Sequence, residues 1–296
     1  MSDDSKPQSD LRPRLISGIT ALLVVLPILI KGTFWWVFGL AAVAAAWALH
    51  EVITMSMKEQ RGTAYPLALV LGSGWFVAAA FSTQGGIPGW AVDVEPLLVL
   101  GVLSSLLSAA YFLVTATTAE GLGHKWAWFM LGLIYVALPL GMFASLVELP
   151  GGHAWLFAPL FAGWCGDIGG YFAGRAFGKH KMIPLISPKK TWEGFAGGVA
   201  LAVFGVVLLK VVFVDPWIDH ESPLTWLDCV VVGVVADLAG VMGDLAASMI
   251  KRTWGAKDSG RFLPGHGGML DRIDAVMFTV PVVWLWVMVV RPLVVV

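Results

Sequence analysis

Nine runs of mostly apolar residues govern what this chain can fold into. They lie near residues 14–31, 34–51, 64–83, 96–118, 126–148, 154–174, 193–214, 225–250 and 273–294. A helix that crosses a bilayer needs about 20 such residues. Only helices and closed barrels satisfy their backbone hydrogen bonds in lipid. These runs are too long for barrel strands and lack period-2 alternation. The expected fold class is all-α: a polytopic transmembrane helical protein with about nine spans. Composition agrees, since 58% of the 296 residues are hydrophobic and 13% charged, against about 45–50% and about 25% in soluble domains. The first run sits where a signal peptide would. It ends Leu29-Ile30-Lys31-Gly32 without a small-residue cleavage site, so it reads as a retained first span. Residues 1–13 read as a disordered tail, 14–150 as a lipid-facing or dimerisation scaffold of helices, and 151–296 as a catalytic transmembrane domain. A homodimer is compatible with this division.

Orientation follows from the basic residues. Sixteen of the nineteen Lys and Arg fall in the N-terminal tail and in the loops after the second, fourth, sixth and eighth runs. Lys31, Lys210 and Arg291 fall on the other side, with Asp93, Glu95, Asp215, Asp219 and Glu221. The positive-inside rule then places the N-terminus in the cytoplasm and the C-terminus outside. The expected location is the cell (inner) membrane, with the charged loops facing the cytoplasm. A net charge of -1 makes no electrostatic case for nucleic-acid binding. Cys165 and Cys229 lie in apolar stretches with no metal-ligand spacing and read as small buried hydrophobes.

The remaining information is in charges that an apolar helix should not carry. Asp237, Asp244, Ser248 and Lys251 fall within about 60° of one another on the eighth helix. An ionised group at a helix centre costs at least about 2.5–3.5 kcal/mol, so the stripe has to face water or partners. It fits an ion path, a metal and phosphate site, or a structural salt-bridge network. The loop that follows, Thr253 to Asp274, is basic and rich in glycine. Lys251, Arg252, Lys257, Arg261 and Arg272 supply cations, and Pro264-Gly265 and Gly267-Gly268 flank His266. Glycines let a backbone approach a phosphate closely, and clustered cations suit several phosphate oxygens. Asp271 and Asp274, three apart, share a helix face. Carboxylates beside such a loop suit Mg²⁺, which takes oxygen ligands and substrate phosphates. A juxtamembrane loop that touches anionic lipid accounts for the cations alone. Asp167, Tyr171 and Arg175 line one face at the end of the sixth run. Ser187-Pro188-Lys189-Lys190-Thr191 then opens the seventh helix, with Glu193 where the helix dipole favours an acid.

These blocks resemble the phosphatidate cytidylyltransferase (CDP-diacylglycerol synthase) family. The stretch Ser248-x-Ile-Lys-Arg-x₄-Lys-Asp-x-Gly-x₂-Leu-Pro-x-His-Gly-Gly-Met-x-Asp-Arg-Ile-Asp274 is similar to its signature. Ser187-Pro-Lys-Lys-Thr-Trp-Glu-Gly194 and Asp167…Tyr171…Gly174-Arg175…Gly178-Lys179 are similar to two further blocks. The likeness covers roughly residues 160–275, and the first 150 residues share only hydropathy. It implies that CTP and phosphatidate give CDP-diacylglycerol and pyrophosphate with Mg²⁺, and leaves open a second mono- or divalent cation. It implies Asp244, Asp271 and Asp274 for metal, and Asp244, Asp271, Lys251 and Lys257 for catalysis. Substrate contacts are implied for Asp167, Tyr171, Arg175, Ser187, Lys189, Lys190, Thr191 and Glu193. From the signature they are implied for Ser248, Arg252, His266, Gly267, Gly268 and Arg272. The chain departs from the pattern at Ala247, commonly Glu, and at Ala275, often a small hydroxyl residue. Two alternatives stand beside this reading. One is another membrane enzyme that uses CTP, such as a polyprenol kinase. The other is an ion-coupled transporter, which would have no need of a basic glycine-rich loop.

Overall fold

The computed structural model describes residues 11–57, 61–84, 96–217, 222–260, 262 and 267–294. The first helix, α1 (Leu11–Lys31), turns at Gly32 into α2 (Phe34–Ser56), giving the short-linked helical hairpin expected from the first two runs. The polar tail expected over 1–13 lies outside the described residues up to position 10, and α1 already begins at Leu11. Helices α3 (Arg61–Ala80) and α4 (Pro96–Thr115) follow. Then α5 (Leu122–Gly132) continues through a π-helical turn, Leu133–Ala137, into α6 (Leu138–Ser145). Pro139 explains the turn: it has no N–H for the carbonyl four residues back, and the wider turn just before it absorbs the break.

Next comes α7 (Gly152–Phe177), a hairpin of β1 (Lys181–Ile183) and β2 (Ser187–Thr191), and α8 (Trp192–Leu208), prolonged by a π-helical segment Leu209–Val214. After α9 (Trp226–Thr253) the chain closes with α10 (Leu270–Ile273), α11 (Val276–Leu285), a π-helical Trp286–Val290 and α12 (Arg291–Val294). A helical rod therefore stands at each of the nine apolar runs. Among the described residues, six helices are long and apolar enough to cross a membrane. Gly18–Lys31 and Val276–Val290 are apolar but shorter. The antiparallel hairpin, pairing Lys181 with Thr191 and Ile183 with Ser187, is the only sheet among the described residues.

The bundle is dressed for lipid. Leu98, Leu106, Leu113 and Val114 of α4 are exposed, whereas α4 turns Ser104 and Ser108 inward. Those buried hydroxyls accept hydrogen bonds from Trp75 Nε1 at 3.0 Å and Trp126 Nε1 at 2.8 Å, the polar glue that joins helices where lipid removes a hydrophobic drive. At the start of α9, Thr225 and Asp228 form a reciprocal capping box. Fully buried Asp228 also receives Trp286 Nε1 at 2.9 Å and Arg291 Nε at 3.2 Å. This ties the C-terminal segment to α9.

The tightest packing is between α7 and α8, and glycine makes it possible. A Cβ on Gly169 would collide with the Gly197 carbonyl and lie 2.7 Å from Leu201 Cβ. By contrast, Gly163 on the same helix has open space around it. We therefore expect Gly169→Val to force α7 and α8 apart, at a cost of about 1–3 kcal/mol or more, and Gly163→Val to be tolerated. Thermal unfolding in detergent followed by size-exclusion chromatography checks this. Equal melting temperatures for the two variants would contradict such packing.

Candidate active site

The α7–α8 contact sets the floor of a cleft of about 440 Å³ between α7, β2, α8 and α9. Asp167, Tyr171 and Arg175 line it from one face of α7, as their i, i+4, i+8 spacing requires. Arg175 Nη1 donates to Tyr171 Oη at 2.9 Å. Lys189, Lys190 and Thr191 line it from β2, and Asp237 from α9. One opening thus gathers three cations and two carboxylates. Asp237 is 4% exposed and its Oδ2 has no hydrogen-bond partner among the described residues. The carboxylate fits there because Gly166 and Gly198 leave room: a Cβ on Gly198 would be 3.2 Å from each Asp237 oxygen.

Lys190 leads from the cleft to the next turns of α9. Its Nζ lies 2.7 Å from Asp244 Oδ2, and it also reaches the Val241 carbonyl at 3.4 Å. Thr191 caps α8 by accepting the Gly194 N–H at 3.1 Å, which fixes where β2 ends and where Lys190 points. Glu193, in the first turn, accepts the N–H groups of Lys179 and His180 at 3.1 and 3.2 Å and pairs with His180 Nδ1 at 2.6 Å. Its carboxylate stitches the segment after α7 to α8, and Thr191 is the cap.

A second cluster closes the α9 end. Lys251 Nζ meets Asp271 Oδ1 at 2.5 Å, both side chains being largely buried. Asp271 Oδ2 accepts the Ser259 N–H at 2.8 Å, the Ser259 hydroxyl at 3.0 Å and the Gly268 N–H at 3.1 Å. Burial opposes ionisation of Asp271, but the Lys251 and backbone hydrogen bonds outweigh it and hold its carboxyl below the usual carboxylate range. Gly267 bends the loop here with φ +82°, a conformation that suits glycine. Asp274, one helical turn beyond Asp271, lies within electrostatic range of Asp244, Lys251 and Asp271.

The structure thus brings together most of the residues singled out by sequence. Asp167, Tyr171, Arg175, Lys189, Lys190 and Thr191 share the cleft, while Lys251, Gly268 and Asp271 share the second cluster. Asp244 joins the two through Lys190. Ser248 is part-buried on α9, whereas Arg252, Lys257 and Arg272 are exposed beside the second cluster. Arg252 donates to the Ala256 carbonyl at 3.4 Å. Ser187 stands at the start of β2, opposite Ile183 and away from the cleft lining. His266 lies outside the described residues. Ala247 is fully buried, so a glutamate in its place would be an acid inside the bundle.

Two residues were missed by sequence reasoning. Ser259 is a buried donor between two acids. Glu51, on α2, is 4% exposed and accepts from Ser259 Oγ, Met269 N–H and Leu270 N–H. Its signal was present, an ionisable residue in an apolar helix, which is costly unless partnered.

Long apolar helices around a cleft of cations and carboxylates define an integral-membrane protein with a charged site. The model of the cytidylyltransferase family matches residues 12–290, and the chain belongs to that family. It is 30% identical over 299 residues to the phosphatidate cytidylyltransferase of Mycobacterium bovis, covering 96% of this chain and 90% of that one. To the phosphatidate cytidylyltransferases of Staphylococcus saprophyticus and Staphylococcus haemolyticus it is 33% and 34% identical, covering 92% of this chain and 96% of each relative. The protein is a nucleotidyltransferase.

Proposed function

We propose that the protein is a phosphatidate cytidylyltransferase that joins CTP and phosphatidate into CDP-diacylglycerol and pyrophosphate. An oxygen of the lipid phosphate bonds to the α-phosphorus of CTP, and the bond from that phosphorus to the β-bridging oxygen breaks. The observation that carries the reading is the Lys190–Asp244 contact. It places the basic strand β2 and the carboxylate stripe of α9 around one opening, as transfer between two phosphate-bearing substrates requires. Such transfers rely on positioning and charge stabilisation more than on covalent help from the protein. In this reading Arg175, Lys189 and Lys190 hold phosphate oxygens in the cleft, and Lys251, Lys257, Arg252 and Arg272 hold them at its α9 end.

The oxygen donors present fit Mg²⁺. Asp244 is 41% exposed with one lysine partner, and Asp274 lies within electrostatic range of it. Asp271 already satisfies four donors, so it would exchange Lys251 for a metal. No group of three or more His, Cys, Asp or Glu that could hold a metal stands ready among the described residues. Mg²⁺ commonly takes several of its ligands from substrate phosphates and water. Bound Mg²⁺ would neutralise charge developing on the phosphates.

The sixteen-to-three distribution of Lys and Arg supports an active site on the cytoplasmic face of the cell membrane. Membrane vesicles of both orientations test activity and sidedness together. With CTP outside and phosphatidate in the bilayer, inverted vesicles should make CDP-diacylglycerol only when Mg²⁺ is added, and right-side-out vesicles should make none. Equal product in intact right-side-out vesicles would overturn the orientation. No product in either, from folded protein, would overturn the reaction.

A further inference from the structure

The second cluster is held from an unexpected direction. Glu51 sits near the C-terminal end of α2, in the part of the chain that carries almost no intramembrane charge. Its Oε1 accepts the Met269 N–H at 2.8 Å, and its Oε2 accepts the Leu270 N–H at 3.0 Å and the Ser259 hydroxyl at 2.7 Å. Ser259, Met269 and Leu270 therefore converge on one buried carboxylate. Ser259 links it to Asp271, and Asp271 to Lys251. The backbone is cut to fit this acid. A Cβ on Gly260 would be 2.6 Å from Glu51 Oε1, and one on Gly268 would press on Glu51 and Ser259. A buried carboxylate removed from water is kept only where donors compensate it. Here the donors among the described residues are Ser259, Met269 and Leu270, which precede Asp271.

We propose that Glu51 is a positioning residue for the transfer reaction: it fixes Ser259, Met269 and Leu270 so that Asp271 is aimed at Lys251. This rests on the reading of Asp271 and Lys251 as reaction machinery. Glu51 is 4% exposed and engages both of its carboxylate oxygens with these donors. Its contribution passes through the backbone N–H groups of Met269 and Leu270 and the Ser259 side chain, so it acts on the geometry of a reacting group and not on the affinity for CTP.

The full-length protein in lipid nanodiscs provides the test. Glu51→Gln keeps the volume but turns an amide NH₂ toward N–H or O–H donors. It is expected to lower kcat on the order of 10- to 100-fold, the scale of small misplacements near reacting groups, with the KM for CTP changed less than about threefold. Amide hydrogen exchange at Met269 and Leu270 should accelerate while α7 and α8 keep their protection. Gly260→Ala, which leaves the acid in place and pushes a methyl against it, should give the same pattern and keeps the test open if Glu51→Gln does not fold. Wild-type kcat in a folded Glu51→Gln, or protection lost evenly across α2, α3 and α6, would overturn the proposal. The exchange measurement needs no substrate. An inactive wild-type protein would therefore sink the reaction reading and leave the exchange result to judge Glu51.

Discussion

Asp244→Asn is expected to leave the protein inserted and folded and to lower turnover by at least about 10²-fold. Exposure separates the two effects. The Asp244 and Lys190 side chains are 41% and 25% exposed, and an ion pair that wet is worth only about 0–1 kcal/mol. Asparagine is nearly isosteric, so the bundle should scarcely notice the change. The reaction should, because the substitution removes one of the carboxylate charges proposed to hold a divalent cation between the cleft and the α9 end. Metal-borne charge stabilisation is worth several kcal/mol in the transition state, and each ~1.36 kcal/mol is about a factor of ten in rate. Initial rates and thermal unfolding of the same purified samples check both halves. A variant with wild-type rates contradicts the metal assignment. A variant that melts far below wild type shows the pair to be structural.

Asp271→Asn should behave differently, losing activity and stability together. Asp271 and Lys251 are 12% and 13% exposed. The substitution would strand a largely buried ammonium, and breaking a buried pair on one side costs on the order of 3–5 kcal/mol. The pH dependence follows from the lowered pKa. Because the folded value lies below the unfolded one, the stabilisation is complete above the ordinary carboxylate range. It is lost as pH falls through the folded value. The melting-temperature gap between wild type and Asp271→Asn should therefore be constant near neutrality and shrink below about pH 4. A gap that does not change on acidification would contradict the pairing.

Much of the architecture was legible because the bilayer imposes a length. Each apolar run became a rod, and even the α7 face of Asp167, Tyr171 and Arg175 followed from helical period alone. The hairpin was not legible: β1 and β2 have three and five residues, and Pro188-Lys189-Lys190 shows no alternation of apolar and polar side chains. The stripe on α9 was readable as a stripe, but its division among partners was not. Asp237 faces the α7–α8 glycines, Asp244 faces Lys190 and Lys251 faces Asp271, and contacts between residues distant in the chain are set by packing. Glu51 was hidden for the same reason, since its donors lie more than 200 residues further along. Splitting the chain near residue 150 separates Glu51 from the cluster it holds.

The reaction itself is tested most directly by the fate of the CTP phosphates. Purified protein in bilayers containing phosphatidate is given CTP labelled at either the α- or the γ-phosphorus. Nucleotidyl transfer predicts that the α-label enters the lipid fraction while the γ-label leaves in pyrophosphate. Entry of the γ-label into lipid would mean phosphoryl transfer to the lipid, and would contradict the assignment of Lys190, Asp244 and Asp271 to nucleotidyl transfer.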